Sequence, residues 1–252
     1  MSLVGVDGAG MVPGSFNFRD LGGIEVAAGR VRPGAVFRSD LLHRADDEGA
    51  RMVLRDLGVR SVIDLRLHDE RRDDGAFDEC EQITVTHVPV LGDVWSWEDE
   101  MHATDDLFLR DRTIEMFEDR GHRIVEALVA IADAPPGAVV FHCTAGKDRT
   151  GAVAAALLGL LGACPDEIVS DYSRSAAAMP DIVAWFKAQH PERPGDPEIE
   201  QRLLERAARP ATMAGVVAHI DEAHGGFAAW ATAYGLTSDH LDALVGRLVT
   251  SE

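Results

Sequence analysis

The chain has 252 residues, of which 46% are hydrophobic and 27% charged, a globular composition that can bury a full core. Its formal net charge of −19, from 43 acidic and 24 basic residues, disfavours nucleic acid and anionic lipid as partners. No apolar run reaches the roughly 18 residues of a membrane span, and residues 1–15 lack the pattern of a signal peptide. We therefore expect no stable membrane insertion.

The cysteines indicate a cytoplasmic protein, with secretion as the alternative. Cys80, Cys143 and Cys164 are widely spaced and form no Cys-x-x-Cys pair of the kind used for zinc or redox chemistry. A sparse, odd set is typical of a reducing compartment, where a reactive thiol survives. We expect neither a metal nor a cofactor.

Strands and helices alternate over the first 150 residues. Short β-branched runs predict strands at residues 35–38, 59–65, 83–89 and 138–142, and residues 45–58 have the spacing of an amphipathic helix. This order predicts an α/β fold, a central sheet flanked by helices, in a single domain over residues 1–252. Ligands of such sheets bind at the carboxyl ends of the strands.

The stretch 93–121 interrupts this alternation. It contains two tryptophans, two phenylalanines and two methionines among many acids, without a strand pattern. We interpret it as a helical insertion near the ligand-binding edge. The alternative is a surface helical hairpin whose aromatic side chains pack into the core.

The most informative segment is the loop His142-Cys143-Thr144-Ala145-Gly146-Lys147-Asp148-Arg149-Thr150-Gly151. It follows the last predicted strand and leads into an apolar helix over 152–161. A cysteine therefore lies at the tip of a strand, and an arginine six positions later opens a helix. Backbone N–H groups at such a helix start form a concave site for phosphate.

Each residue of this loop has an expected task. We expect residues 144–149, namely Thr144, Ala145, Gly146, Lys147, Asp148 and Arg149, to bind the phosphate. Gly146 supplies unusual backbone angles and Arg149 grips two oxygens with its planar fork. The positive field is expected to lower the pKa of the Cys143 thiol from about 8.5 into the range of roughly 3.5–7.5.

These features predict covalent catalysis. Cys143 attacks the phosphate, and water hydrolyses the resulting phosphocysteine without help from a metal. Thr150 is a candidate hydrogen-bond donor to the sulfur, and His142 a candidate for orienting the loop. The competing interpretation is an inert buried cysteine before an ordinary helix start.

After the loop the chain is α-rich. The sequence predicts helices over 165–179, 181–189, 198–208, 212–224, 226–233 and 238–249, with a turn-rich break at 191–197. Ser238 is the expected cap of the last helix.

The loop resembles the signature of cysteine-dependent phosphatases, in which five residues separate Cys143 from Arg149. More narrowly, it resembles the bacterial tyrosine phosphatase family that includes a secreted mycobacterial tyrosine and lipid phosphatase. Further motifs that fit this family stand at residues 17–23, 37–41, 61–66, 171–175 and 234–236. The resemblance covers residues 15 to 250.

The resemblance implies a phosphatase fold that acts on phosphotyrosine, with phosphoserine, phosphothreonine and phosphoinositides as further substrates. A phosphorylated protein or a small phosphomonoester is then the partner. It also implies that the 93–121 insertion acts as a lid over the cleft. Lys147 is shared with lipid-directed members and could pair with a second anionic group, or else be a solvated residue at the cleft edge.

Two aspartates compete as the acid that protonates the leaving oxygen. Asp148 lies within the loop, beside Arg149. Asp93 follows a segment similar to the family's Pro-x-Pro-Asp, but one residue longer and without the second proline. We favour Asp148, although either residue can instead be a plain helix-start or turn residue.

Arginines elsewhere in the motifs have expected roles outside catalysis. Arg66, at the end of a predicted strand, is a candidate second contact for the anion. Arg19 and Asp20 are expected to brace the loop from behind.

Two other functions remain open at this stage. One is sulfur transfer through a persulfide, although the loops of such enzymes are generally one residue shorter. The other is a module that recognises phosphate without turnover.

Overall fold

The computed structural model describes residues 12–45, 54–74, 83–92, 107–191 and 197–250. The strands within these ranges are β1 (Arg19–Asp20), β2 (Glu25–Val26), β3 (Gly29–Val31), β4 (Val36–Ser39), β5 (Val59–Asp64), β6 (Thr84–His87), β7 (Ala138–His142) and β8 (Val249–Thr250). Five of them form the main sheet in the order β1-β4-β7-β5-β6. Strands β4, β7, β5 and β6 are parallel, and β1 joins the edge antiparallel to β4.

The helices within the described ranges are α1 (His68–Asp74), α2 (Phe108–Ala132), α3 (Asp148–Leu160), α4 (Pro165–Ser173), α5 (Met179–Gln189), α6 (Pro197–Arg206), α7 (Pro210–His224), α8 (Phe227–Ala233) and α9 (Ser238–Leu248). Two 3-10 helices, Leu42–Ala45 and Arg174–Ala178, complete the set. None of these helices has the length and hydropathy needed to cross a bilayer.

Strand β7 is buried on both faces, as a central parallel strand requires. Val139 and Phe141 pack into the larger core cluster, which lies against helices α2, α3, α7 and α8. Ala138 and Val140 point the other way, into a smaller cluster. The predicted central sheet flanked by helices is therefore confirmed.

The predicted strands correspond to β4, β5, β6 and β7, each within two residues at its ends. The sequence missed a second sheet of order β2-β3-β8, because strands of two or three residues show no alternation. The predicted helix at 45–58 falls largely on residues 46–53, which lie outside the described ranges.

The C-terminal helices form where they were predicted, with two differences. The single helix expected over 165–179 is divided into α4, the 3-10 helix Arg174–Ala178 and the start of α5. The cap of α9 is Thr237, and not Ser238: its hydroxyl accepts the N–H of His240, whose ring pairs in return with the Thr237 N–H.

The structure describes residues 107–121 of the predicted insertion, and its role as a lid stays a prediction. Residues 108–121 form the first half of the 25-residue helix α2, which continues to Ala132. Met116 and Phe117 are buried in the main core. These two side chains pack into the core, as the alternative of a core-packed helix predicts for Phe117. Residues 93–106 lie outside the described residues.

Helix α2 is kinked at Arg120, whose φ of −124° and ψ of 16° are not helical. Just before the kink, two backbone carbonyls of α2 accept hydrogen bonds from side chains at the end of α8. Trp230 Nε1 donates to Phe117 O at 3.3 Å, and the Tyr234 hydroxyl donates to Glu118 O at 2.6 Å. Side chains inserted into the helical ladder are a known cause of kinks.

This packing predicts that Gly121→Ala destabilises the protein by about 1–3 kcal/mol. A Cβ at Gly121 would lie 2.7 Å from the Tyr234 ring, whose hydroxyl is tied to Glu118. Urea unfolding measures the change in the free energy of unfolding.

Gly246→Ala is the matched control, since Gly246 is exposed in the last turn of α9 and a Cβ there meets nothing within 4 Å. It should be neutral or stabilise by up to about 1 kcal/mol. Equal unfolding free energies for the two variants would contradict the proposed steric conflict.

Candidate active site

The loop predicted to bind phosphate connects β7 to α3. Strand β7 ends at His142, Cys143 follows, and α3 begins at Asp148. The loop is attached to both neighbouring parallel strands, because Leu41 N donates to Thr144 O at 3.2 Å and Leu65 N donates to His142 O at 2.9 Å. It lies at the carboxyl ends of the parallel strands, as predicted.

Gly146 has the special conformation that the sequence predicted. Its φ is +66°, in the left-handed region. A Cβ at this position would lie 2.6 Å from the carbonyl oxygen of Ser39. Both the dihedral angle and the close approach of β4 therefore require glycine.

The back of the loop is held by side chains from two N-terminal motifs. Asn17 Nδ2 donates to the carbonyls of Ala145 and Gly146 at 2.9 and 3.1 Å. The buried Arg38 donates to the Gly146 carbonyl at 2.8 Å. These bonds direct the carbonyls of the loop toward the protein interior and away from the pocket.

Asp171 of α4 supports both of these contacts. Its carboxylate accepts Arg19 Nε at 2.9 Å and pairs with Arg38. Burial acts to raise the pKa of Asp171, but the charges of Arg38 and Arg19 outweigh it and lower this pKa. Burial, aided by the nearby Arg38 charge, lowers the pKa of Arg19 to about 10.

The expected bracing role is confirmed for Arg19, which also donates to Asn17 Oδ1 at 2.5 Å. It is wrong for Asp20. That carboxylate accepts the backbone N–H groups of Gly22 and Gly34 at 2.8 and 2.7 Å, and so closes a turn beside β1.

One pocket brings most of the predicted site residues together. Among the loop residues it is lined by Cys143, Thr144, Ala145, Lys147, Asp148 and Arg149. Cys143 is only 3% exposed and lines the same pocket as Arg149. Cys143 therefore lies beside charged residues of the loop, and its role as the nucleophile stays a prediction.

Glu70 of α1 is a site residue that the sequence analysis missed. Its carboxylate accepts both terminal nitrogens of Arg149, at 2.5 and 2.8 Å, and the Thr144 hydroxyl at 2.6 Å. Burial opposes ionisation, yet the Arg149 contacts prevail and lower the pKa of Glu70 to about 2. The Arg149 side chain is only 11% exposed; burial acts to lower its pKa, but the contacts with Glu70 raise it above the ordinary value, so both groups remain charged.

The position of α1 could have indicated this contact. Glu70 lies in the first turn after β5, and β5 ends at the same edge of the sheet as β7. No local sequence pattern indicates it, because Glu70 and Arg149 are 79 positions apart in the chain.

Lys147 and Asp148 are consecutive residues at the start of α3, and both line the pocket. Lys147 Nζ lies 3.7 Å from Asp148 Oδ2. Lys147 is only 3% exposed, so its interpretation as a solvated residue is wrong. Asp148 stands in the first turn of α3, where the helix dipole favours a carboxylate, and it lines the pocket beside Arg149.

Arg66 is not placed to contact an anion in the pocket. It is fully buried, and both Nε and Nη2 bond to Asp64, at 3.1 and 3.0 Å. Burial would raise the pKa of Asp64, but His142 and Arg66 lower it. Arg66 therefore neutralises a carboxylate at the end of β5, which corrects its predicted role.

His142 and Thr150 flank the loop and are both fully buried. His142 Nδ1 lies 3.1 Å from the Cys143 carbonyl, to which it must donate, and burial lowers the pKa of His142. A neutral ring that donates to the loop fits the orienting role. The Thr150 hydroxyl has no hydrogen-bond partner among the described residues, so its predicted bond to the Cys143 sulfur is not formed. Asp93 lies outside the described residues.

The outer wall of the pocket is apolar. It consists of Leu91, Met179, Ile182, Val183, Phe186 and Leu203. Four of these side chains come from α5 and one from α6, so the helices after the loop cover its open side. The pocket thus combines a charged floor with an apolar wall.

A strand-end cysteine that shares a pocket with a fixed arginine and an aspartate defines the site of a cysteine-dependent phosphatase. The sequence matches the tyrosine phosphatase family over residues 11–250, and the chain therefore belongs to that family.

Individual relatives agree with this assignment. The chain is 34% identical over 205 residues to the triple specificity protein phosphatase PtpB of Mycobacterium tuberculosis, covering 69% of this chain and 71% of that protein. It is 32% identical over 127 residues to a tyrosine-protein phosphatase of Nostoc commune, covering 50% and 43%. A crystal structure of P. aeruginosa TpbA in complex with phosphotyrosine matches with a TM-score of 0.32 and 17% identity, over 60% of this chain and 77% of that one.

The contacts of Glu70 predict that it positions Arg149. Glu70→Gln should lower kcat/KM for p-nitrophenyl phosphate by about tenfold or more, because a loosened guanidinium no longer holds the reacting group in line. Steady-state kinetics measures the loss.

Asp69→Asn is the matched control. It makes the same charge change on the same helix, but the ion pair that Asp69 makes among the described residues is with the surface residue Arg72. An E70Q variant as active as D69N would rule out the positioning role.

Proposed function

We propose that this protein hydrolyses phosphomonoesters, with phosphotyrosine as the preferred substrate, through a phosphocysteine intermediate on Cys143. The observation that carries the proposal is the pocket in which Cys143, Asp148 and the Glu70-held Arg149 meet. Family membership supports the same chemistry.

The first step transfers the phosphoryl group to sulfur. The Cys143 thiolate attacks phosphorus in line, an S–P bond forms, and the P–O bond to the substrate breaks. Arg149 and the N–H groups at the start of α3 bind the equatorial oxygens, where negative charge accumulates. Asp148, protonated at this stage, gives its proton to the departing oxygen.

The second step returns the enzyme to its starting state. Water attacks the phosphocysteine, the S–P bond breaks, and Cys143 leaves as a thiolate. Asp148, now a carboxylate, accepts the proton of the water. The product is inorganic phosphate, and Asp148 is again ready to act as an acid.

The apolar wall supports an aryl phosphate as substrate. The ring of a phosphotyrosine whose phosphate lies on the loop would pass between Met179, Ile182 and Phe186. Burying such a ring against these side chains contributes favourably to binding. Phosphoserine and phosphothreonine are shorter and would leave the wall uncovered.

A phosphoinositide is the second substrate class to test. Lys147 lines the pocket beside Asp148, and its charge suits a second phosphate. The net charge of −19 opposes approach to an anionic membrane, so the proposal ranks phosphopeptides first. The exposed free thiol of Cys164 supports a reducing cytoplasm as the location.

The family match favours hydrolysis over the alternatives of sulfur transfer and phosphate recognition without turnover. The loop length agrees, since five residues separate Cys143 from Arg149.

Replacing the nucleophile tests the proposal directly. Cys143→Ser should abolish hydrolysis of a phosphotyrosine peptide while orthovanadate or the peptide itself still binds, because the arginine and the loop remain. Wild-type protein should release phosphate from this peptide faster than from its phosphoserine and phosphothreonine analogues and from a soluble phosphatidylinositol phosphate.

Cys164→Ser, which removes the exposed cysteine, is the control and should keep full activity. Substantial turnover by C143S would exclude Cys143 as the nucleophile. A wild-type preference for the lipid headgroup would reverse the ranking of substrates.

The acid is tested by leaving-group dependence. Asp148→Asn should lower kcat/KM for phenyl phosphate by about 10²–10⁴-fold, and far less for p-nitrophenyl phosphate, whose phenolate leaves without protonation. Asp166→Asn removes an exposed acid from the first turn of another helix and should change neither rate. If Asp93→Asn, and not D148N, produced the leaving-group-dependent loss, the acid would be Asp93.

A further inference from the structure

A cluster of metal-ligand type lies outside the pocket, between α2 and α7. Glu118 of α2 and His219 and His224 of α7 each offer one ligand atom, and these atoms lie within 4.8 Å of one another. Both His219 Nε2 and His224 Nε2 lie 2.8 Å from the same oxygen, Glu118 Oε1. Two histidines and a carboxylate around one point are a donor set used for zinc.

The backbone holds these residues in place. Glu118 precedes the kink in α2, and its carbonyl is fixed by the Tyr234 hydroxyl at 2.6 Å. His224 is the last residue of α7, which is closed by Gly225 in a left-handed conformation. Because both helix segments are anchored independently, the three side chains do not need to assemble on binding.

The spacing suits a tetrahedral ion with little adjustment. With bonds of about 2.0–2.2 Å, two ligand atoms of a tetrahedral zinc ion lie roughly 3.3 Å apart. The two N···O distances of 2.8 Å would therefore open by about half an ångström. The side chains of Glu118, His219 and His224 are 36%, 33% and 20% exposed, which leaves them room to move and an ion room to enter.

The proton balance is simple. Without an ion, each Nε2 carries the hydrogen that it donates to Glu118. On binding, a neutral ring moves this hydrogen to Nδ1, and the Nε2 lone pair faces the ion. Burial acts to raise the pKa of Glu118, but the hydrogen bonds and charges of His224 and His219 together outweigh it and lower this pKa.

The geometry points to a divalent transition-metal site, of zinc type, formed by Glu118, His219 and His224. Three protein ligands leave a fourth position for water. The ion links the kinked segment of α2 to the end of α7 and stabilises the folded state, because the unfolded chain lacks the assembled site. It takes no part in the phosphatase reaction.

Isothermal titration calorimetry of the 252-residue chain with ZnCl₂ measures the affinity and stoichiometry of this site. The three cysteines, Cys80, Cys143 and Cys164, are replaced by serine in the parent protein, because thiolates also bind zinc. The parent should bind one Zn²⁺ per chain and unfold at a higher temperature with the ion than without it. His219→Ala, His224→Ala and Glu118→Gln should each weaken the affinity by at least about tenfold.

His122→Ala is the matched control, since His122 is an exposed histidine on α2 outside the cluster. It should leave the affinity unchanged. Co²⁺ added to the parent supplies a measurement that needs no ligand variant, because four-coordinate Co²⁺ absorbs visible light far more strongly than the hydrated ion.

Two results would overturn the inference: no zinc binding by the parent at micromolar concentration, or unchanged binding by the H219A/H224A double variant. The cluster would then be a hydrogen-bonded pair of histidines on one carboxylate. Neither result bears on the phosphatase proposal, whose tests use Cys143 and Asp148.

Discussion

The phosphate loop depends on a buried carboxylate behind it. Asp171 holds Arg19 and Arg38 together, and through them Asn17 and Arg38 bind the loop carbonyls at residues 145 and 146. The guanidinium groups of Arg19 and Arg38 are buried away from water and repel each other. They would not stay buried without the carboxylate of Asp171. The carboxylate therefore fixes the direction of the loop backbone, and with it the positive face that the chemistry needs.

The site works against the overall charge of the protein. A net charge of −19 makes the surface acidic, yet the pocket contains the buried Lys147 and Arg149, whose side chain is only 11% exposed. In a site of low dielectric constant, these nearby charges count for more than distant, screened acids. The carboxylate of Glu70 neutralises the charge of Arg149, so this cation can stay largely removed from water. The same contact keeps the guanidinium group oriented.

The helical half of the chain does more than cover the sheet. Helices α5 and α6 supply most of the apolar wall of the pocket, so the proposed preference for aryl phosphates depends on segments far from the loop in sequence. One face of helix α2 packs into the main core. Glu118, two residues before the kink, contacts His219 of α7. The residues for the proposed substrate selection and for the inferred metal site therefore lie on the helices. The residues for the proposed covalent chemistry lie at the end of the sheet.

The sequence by itself determined the four parallel strands of the main sheet, the loop with its special Gly146, the family and the bracing role of Arg19. These features depend on local patterns, such as β-branched runs and a cysteine six positions before an arginine. Only the tertiary structure decided that Glu70 holds Arg149, that Arg66 turns inward to Asp64, and that residues 108–121 begin a core helix. Such pairings join residues far apart in the chain, or choose among several neighbouring partners. Packing and burial select them, and no local pattern records that choice.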